Sequence, residues 1–299
     1  MALEVFDADP GGAAAIATMP GAALTAPQTD RLRILGNLAT SDTYLVENTG
    51  SASANSILLQ TSWQGFRRSF AADATGTTFD TALFSEVFAT GRLLHIEHPR
   101  GFHFVTTIVS ASLDSSGRTA TVSISPPLPG LDECNFALCT GCLATPLVQA
   151  EYALAPAPTA LVPRDVEVTG ANTVLVRREV PGATGTGVIA GSERVVLEYA
   201  VDFDVTVAVD TAGIGAPPVI TWLASGAAVA QPARIRAARV SIAGRTQEID
   251  PEFPVPWTGT RTASDPLSAF TPFSDRPGVA RVRQSVAEIL LPNVAYRGL

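Results

Sequence analysis

The stretch that decides the fold is Val201-Asp202-Phe203-Asp204-Val205-Thr206-Val207-Ala208-Val209-Asp210. Val201, Phe203, Val205, Val207 and Val209 fall on one side of a period of two. Asp202, Asp204, Thr206 and Asp210 fall on the other. Successive side chains of a strand point to opposite faces, so this is a strand with one apolar and one wet face. A slip of one residue would bury the carboxylates, which fixes the register. One wet face is what an antiparallel sheet permits and a helix-covered parallel sheet does not.

The same period recurs outward from this strand. Thr119-Ala120-Thr121-Val122-Ser123-Ile124-Ser125 places Ala120, Val122 and Ile124 on one face. Asp114-Ser115-Ser116-Gly117 supplies turn residues between it and the run Phe104 to Ser110, which predicts a hairpin. Helical spacing is rare. Leu83, Phe84, Val87 and Phe88 suit one short helix between Asp80 as cap and Gly91 as stop. Arg234 to Ile242 fits a helix through Ile235, Ala238 and Ile242, or a strand through Ala238, Val240 and Ile242. Ala155 to Pro163 and Pro251 to Pro277 read as loops, the second ordered by Trp257, Phe270 and Phe273. Residues 1–29 read as a lead-in segment, and 30–299 as one β-rich head. The expected class is α+β, mostly antiparallel β, with one short helix and long loops.

Composition removes several functions. The 299 residues carry 28 acidic and 20 basic side chains, and every basic one is arginine. A net charge of −8 without a basic run argues against a nucleic-acid partner. Without lysine there is no Schiff-base, P-loop or kinase-type lysine chemistry. No stretch approaches the ~20 apolar residues that span a bilayer. Met1 to Asp7 lacks the basic and apolar regions of a signal peptide.

Two clusters carry candidate chemistry. All three histidines lie in His95-Ile96-Glu97-His98-Pro99-Arg100-Gly101-Phe102-His103. His95, Glu97 and His103 are the weak candidates for a metal site, with Glu97 as a base beside it. Pro-Arg-Gly is turn chemistry, so the run reads as two strands and a tight connection. His95 and Glu97 then share a face that His98 leaves, and the face of His103 stays unassigned. Cys134, Cys139 and Cys142 form the second cluster. Its plainest reading is a short disulfide-closed loop with one cysteine over, in an oxidising compartment; reduced thiols or a zinc knuckle are the alternatives. Spacing does not say which two cysteines pair. Asp202, Asp204 and Asp210 could meet calcium but lack the loop backbone of such a site. Gly185 to Ala190 comes nearest to a dinucleotide fingerprint, with no helix after it. No catalytic residue and no cofactor is expected.

Several blocks together resemble the PilW-type minor pilins of bacterial type IV pili. They are Asp30 to Leu35, Gly91 to Glu97, Phe104 to Val109, Ala150 to Leu154 and Leu175 to Arg178. Val195 to Val205, ending in Val209-Asp210-Thr211, resembles the family best. Pro232 to Ile242 and Val282 to Asn293 follow. Arg92 stands where the family commonly has Asp, and the leader, glutamate and long apolar helix that begin such pilins are not in the sequence. The resemblance implies a pilin-like head, and a strand at Arg234 to Ile242. It implies assembly rather than catalysis, with other minor pilins, the major pilin and a tip adhesin as partners. It also implies an inner-membrane anchor through the missing helix and a place in the cell envelope and then the pilus. The contact surfaces expected first are the Cys134 to Cys142 loop and Pro251 to Pro277. A β-rich surface or phage-type binding module is the alternative, and a metal-dependent hydrolase on the His95 to His103 hairpin a lesser one.

Overall fold

The computed structural model describes residues 2–6, 30–48, 55–114, 116–131, 134–135, 140–157, 173–182, 187–212, 216–224, 234–248, 269–270 and 280–290. In chain order the strands before the helices are β1 (Ala2–Phe6), β2 (Arg31–Gly36), β3 (Tyr44–Asn48) and β4 (Ser56–Leu59). Helices α1 (Gln64–Phe70) and α2 (Thr81–Val87) follow. Then come β5 (Leu93–Glu97), β6 (His103–Leu113), β7 (Ala120–Ser125), β8 (Gly130–Leu131), β9 (Cys134–Asn135), β10 (Leu143–Pro156) and β11 (Thr173–Glu179). The last are β12 (Arg194–Leu197), β13 (Ala200–Asp210), β14 (Ile220–Ala224), β15 (Ile235–Arg245), β16 (Ala269–Phe270) and β17 (Ala280–Leu290). Mostly antiparallel β is therefore the observed class, with two short helices among the described residues rather than the one expected.

The chain groups into two compact units. The first holds residues 1–2, 34–150 and 179–192; the second holds 3–33, 151–178 and 193–299. The boundary falls inside β2, β10 and β11; in β10 the alternation of buried residues breaks there, Ala150 and Glu151 both being buried. The lead-in contains β1, which pairs with β2, and residues 7–29 lie outside the described residues.

The first unit is a closed ring. β3 pairs with β4, β4 with β7, β7 with β6 and β6 with β5, all antiparallel. β10 then pairs with β5 on one side and β3 on the other, through the same residues Leu143 and Ala144. Six strands thus close into a barrel without a free edge, the most complete way to hide a sheet's unpaired backbone. Its inward positions are buried: Tyr44, Val46, Ile57, Leu59, Leu94, Ile96, Ile108, Val122, Ile124 and Ala144. Both helices lie between β4 and β5 in sequence and add Phe66, Phe70, Phe84 and Phe88 to that core. Phe70 stacks on Tyr44 at 5.4 Å and meets Phe84 edge-on at 5.2 Å.

The local chemistry explains the helix limits. Asp80 caps α2, its carboxylate accepting from the Leu83 backbone N–H at 2.9 Å. At the other end Arg92, buried, donates to the Glu86 and Val87 carbonyls and pairs with buried Glu179 at 2.7 and 2.8 Å. It joins α2 to the end of β11. α1 was not expected, because Gly65 and two arginines interrupt its pattern. Its Phe66 and Phe70, one turn apart, are nevertheless fully buried. The predicted β6–β7 hairpin forms, with Gly117 at φ 65° and a Cβ there placed 2.1 Å from the Phe79 ring. Only glycine satisfies both demands.

In the second unit β14, β13, β15, β17 and β16 make an antiparallel sheet in that order. β13 is the deciding strand, and all five of its apolar alternate residues are buried. β15 resolves the ambiguous segment as a strand, and Ala269–Phe270 is a strand inside the expected loop Pro251 to Pro277. β10 runs on through Pro156, so the expected loop at Ala155 begins later; residues 158–172 lie outside the described residues. β11 pairs with β12. Glu151, only 1% exposed, accepts from Arg33 at 2.7 Å and from Arg178 at 2.8 and 2.6 Å. Burial alone would raise its pKa; the bonds and charges of Arg178 and Arg33 overcome this and hold it below the ordinary value. Among the described residues no helix is long and apolar enough to cross a membrane.

Candidate functional site

The most exposed apolar surface of the second unit lies on β17 and its neighbours. A strand with one buried face hides every second residue, but in β17 every residue from Arg283 to Leu290 is exposed. Val286 is 56% exposed, Ile289 50% and Leu290 78%. Val286, Glu288 and Leu290 share one face while Ile289 points to the other, so both faces of the strand meet solvent. β17 pairs with β15 along nine residues, from Val282 to Leu290. Its pairing with β16 involves only Ala280 and Arg281. Among the described residues no strand pairs with its other side beyond that point.

Polar contacts run across this surface. Arg239 on β15 donates to Glu288 on β17 at 3.0 and 2.6 Å. The same guanidinium lies 4.3 Å from the Trp222 ring centroid, so a cation–π contact and an exposed ion pair form one row across the sheet. Ile220, Trp222, Val286 and Leu290 surround that row with exposed apolar area. A second exposed stretch is β12, with Val195, Val196 and Leu197 at 39%, 53% and 37%.

The sequence candidates fall elsewhere. The histidine run is a hairpin, as expected, with β5 and β6 joined through His98 to Phe102. Glu97 stands opposite His103, and His95 opposite Val105. This settles the face of His103: it shares the outward face of His95 and Glu97. His95 Nε2 and His103 Nδ1 lie 3.0 Å apart, with the rings 5.1 Å between centroids and 14° from parallel. Burial first, then the charge of His103, lowers the pKa of His95 against the opposing pull of Glu97. His98 turns away, its Nδ1 accepting from the Arg100 backbone N–H. Among the described residues no group of three or more His, Cys, Asp or Glu side chains is placed to hold a metal ion.

Cys142 is fully buried and disulfide-bonded. Cys139 and the side chain of Cys134 lie outside the described residues. Asp204 is exposed on the wet face of β13. Asp210 is bound to its own turn, accepting from the Ala212 and Val219 backbone N–H groups at 3.1 Å and facing Arg236 at 3.5 Å. Gly187 to Ala190 leads into β12 and no helix follows, while Gly185 lies outside the described residues. The sequence reading missed Asp73, whose carboxylate accepts from the backbone and side chains of Thr75, Thr77 and Thr78. That carboxylate is engaged in its own loop. The one signal for it is the threonine-rich run Thr75 to Thr78 after an aspartate. A cleft of about 230 Å³ lies between Asp42, Trp63 and Arg68, below the roughly 300 Å³ at which small-molecule sites begin. Comparison with known protein families, curated proteins and solved structures finds no match to this chain.

Proposed function

We propose that the chain is the head of a pilin-like assembly subunit of the PilW minor-pilin type, which works by contacts with other pilins and not by catalysis. The observation that carries this reading is β17, a strand near the C-terminus that presents Val286, Ile289 and Leu290 to solvent on both faces. Exposed apolar strands are the surfaces soluble proteins normally cover, and their persistence marks an interaction site. The order of strand blocks resembling such pilins supports the same conclusion, as does a buried disulfide at Cys142, which suits the cell envelope. Pilins, the major subunit and a tip adhesin are the partners this reading assigns.

Deleting the gene in its host and counting surface pili tests the proposal. Loss of pili, restored by the unaltered gene but not by one carrying Val286→Asp and Leu290→Asp, is the expected result. Unchanged piliation in the deletion strain contradicts it. The closed barrel supports a second reading, a β-rich surface or phage-type binding module. In that case partners would dock on the side chains of the first unit, and the β17 variants would bind them normally.

A further inference from the structure

The paired histidines lie on the first unit and take no part in the β17 surface. We propose that His95 and His103 form a two-imidazole site for a divalent transition-metal ion, with Cu(II) and Ni(II) accepted at least as well as Zn(II). The inference does not depend on the assembly reading.

The register supplies the first support. His95 on β5 faces Val105, and His103 on β6 faces Glu97, so the two histidines are diagonal neighbours on one outward face. Both strands are fixed by the barrel, since β5 is paired along Leu93 to Glu97 with β6 on one side and β10 on the other. The backbone spacing between the ligands is therefore set before any ion arrives, and binding orders no loop.

The second support is a distance. A metal holding imidazole nitrogens at about 2.0–2.1 Å separates two ligands at right angles by about 2.9 Å, and two at the tetrahedral angle by about 3.4 Å. The observed separation of Nε2 and Nδ1 is 3.0 Å, the length of the hydrogen bond that joins the rings without metal, so little ring movement is needed to reach the right-angled spacing. Right-angled ligand pairs belong to the tetragonal geometries of Cu(II) and Ni(II), whereas Zn(II) prefers the tetrahedral one. Without metal, one ring N–H donates to the other ring's lone pair. On binding, both lone pairs turn to the ion, and the donating ring carries its proton on its other nitrogen. Two neutral imidazoles thus bind without net proton release. Glu97, exposed on the same face, adds negative charge beside the ion, and water completes the coordination.

The test uses the purified chain with its thiols alkylated. Titration with Cu(II) or Ni(II) is expected to give one site per chain. The Cu(II) electron paramagnetic resonance spectrum is expected to show splitting from two imidazole nitrogens. His95→Gln and His103→Gln should each weaken binding at least tenfold, and His98→Gln should leave it unchanged. Ni(II) should raise the thermal midpoint of the unaltered chain and of His98→Gln, but not of the other two. A Cu(II) spectrum with one imidazole nitrogen or none overturns the proposal, and needs no variant to fold. So does equal loss of affinity in His98→Gln and His95→Gln, or Zn(II) binding tenfold tighter than Ni(II).

Discussion

The two units handle the same difficulty, the unpaired edge of a β-sheet, in opposite ways. In the first unit β10 returns between β3 and β5, so each of the six strands has a partner on both sides. In the second unit the sheet runs from β14 to β16 without closing among the described residues, and β17 leaves its residues from Arg283 to Leu290 in solvent. Their interiors differ in the same sense. The barrel is filled by large aromatic and aliphatic side chains, with Tyr44, Phe66, Phe70, Phe84 and Phe88 in mutual contact. The inner face of β13 is lined instead by four valines and one phenylalanine. The contrast teaches that a closed and an open solution to the edge problem coexist along one chain. One part is closed on itself, and the other leaves surface to be covered.

The largest effects should come from the two interiors. Phe70→Ala removes a ring that touches Tyr44, Phe66, Phe84 and Phe88, and should cost about 3–5 kcal/mol in denaturant unfolding. Glu151→Ala in the second unit should cost about as much, roughly 3–5 kcal/mol, because it leaves Arg33 and Arg178 without their buried partner. A cost under 1 kcal/mol at either position would show that its interior is not packed as described.

Acid should single out the second of these sites. The folded pKa of Glu151 lies below its unfolded value of about 4.5, so its contribution is complete above 4.5 and is lost as pH falls from there through the lower folded value. Glu151→Gln should flatten the fall in stability below pH ~4.5, measured by urea unfolding between pH 3 and 7. A Gln variant as acid-sensitive as the parent would assign that loss to other carboxylates.

Smaller effects separate local order from packing. Asp80→Ala, which deletes the α2 cap, should cost about 1 kcal/mol, and Asp80→Asn should recover most of it. Leu290→Ser should change stability by no more than about 0.5 kcal/mol, since the side chain is 78% exposed. Association through β17 should nevertheless weaken in the same variant. Equal costs for Leu290→Ser and Phe70→Ala would erase the distinction between the units.

Much of the second unit is legible from sequence because its rule is local. Alternation in β13 states both the strand and its buried face; in the first unit the equally local Asp80 cap with Phe84 and Val87 states α2. Closure of the barrel is not local. It rests on Leu143 and Ala144 pairing on both sides, and nothing in Leu143-Ala144-Thr145-Pro146 distinguishes a strand with two partners from one with a single partner. α1 escaped for a related reason: Phe66 and Phe70 form helix because a core receives them, overriding Gly65. The face of His103 likewise depended on the register across the turn, which fixes it opposite Glu97. The candidate surface was legible only in part. Val282 to Asn293 is visible as a strand block, but the exposure of Arg283 to Leu290 on both faces depends on what packs against the sheet and not on the pattern of its residues.

The central claim is that β17 is the surface through which the chain joins its partners. The most direct measurement places a photo-crosslinking residue at Val286 and, in a separate strain, at Val109 on β6, which is also about half exposed. Each variant replaces the native gene in its host. The account predicts covalent adducts with pilin subunits from position 286 and none from position 109. Adducts from position 109 alone would contradict it and move the interface to the barrel.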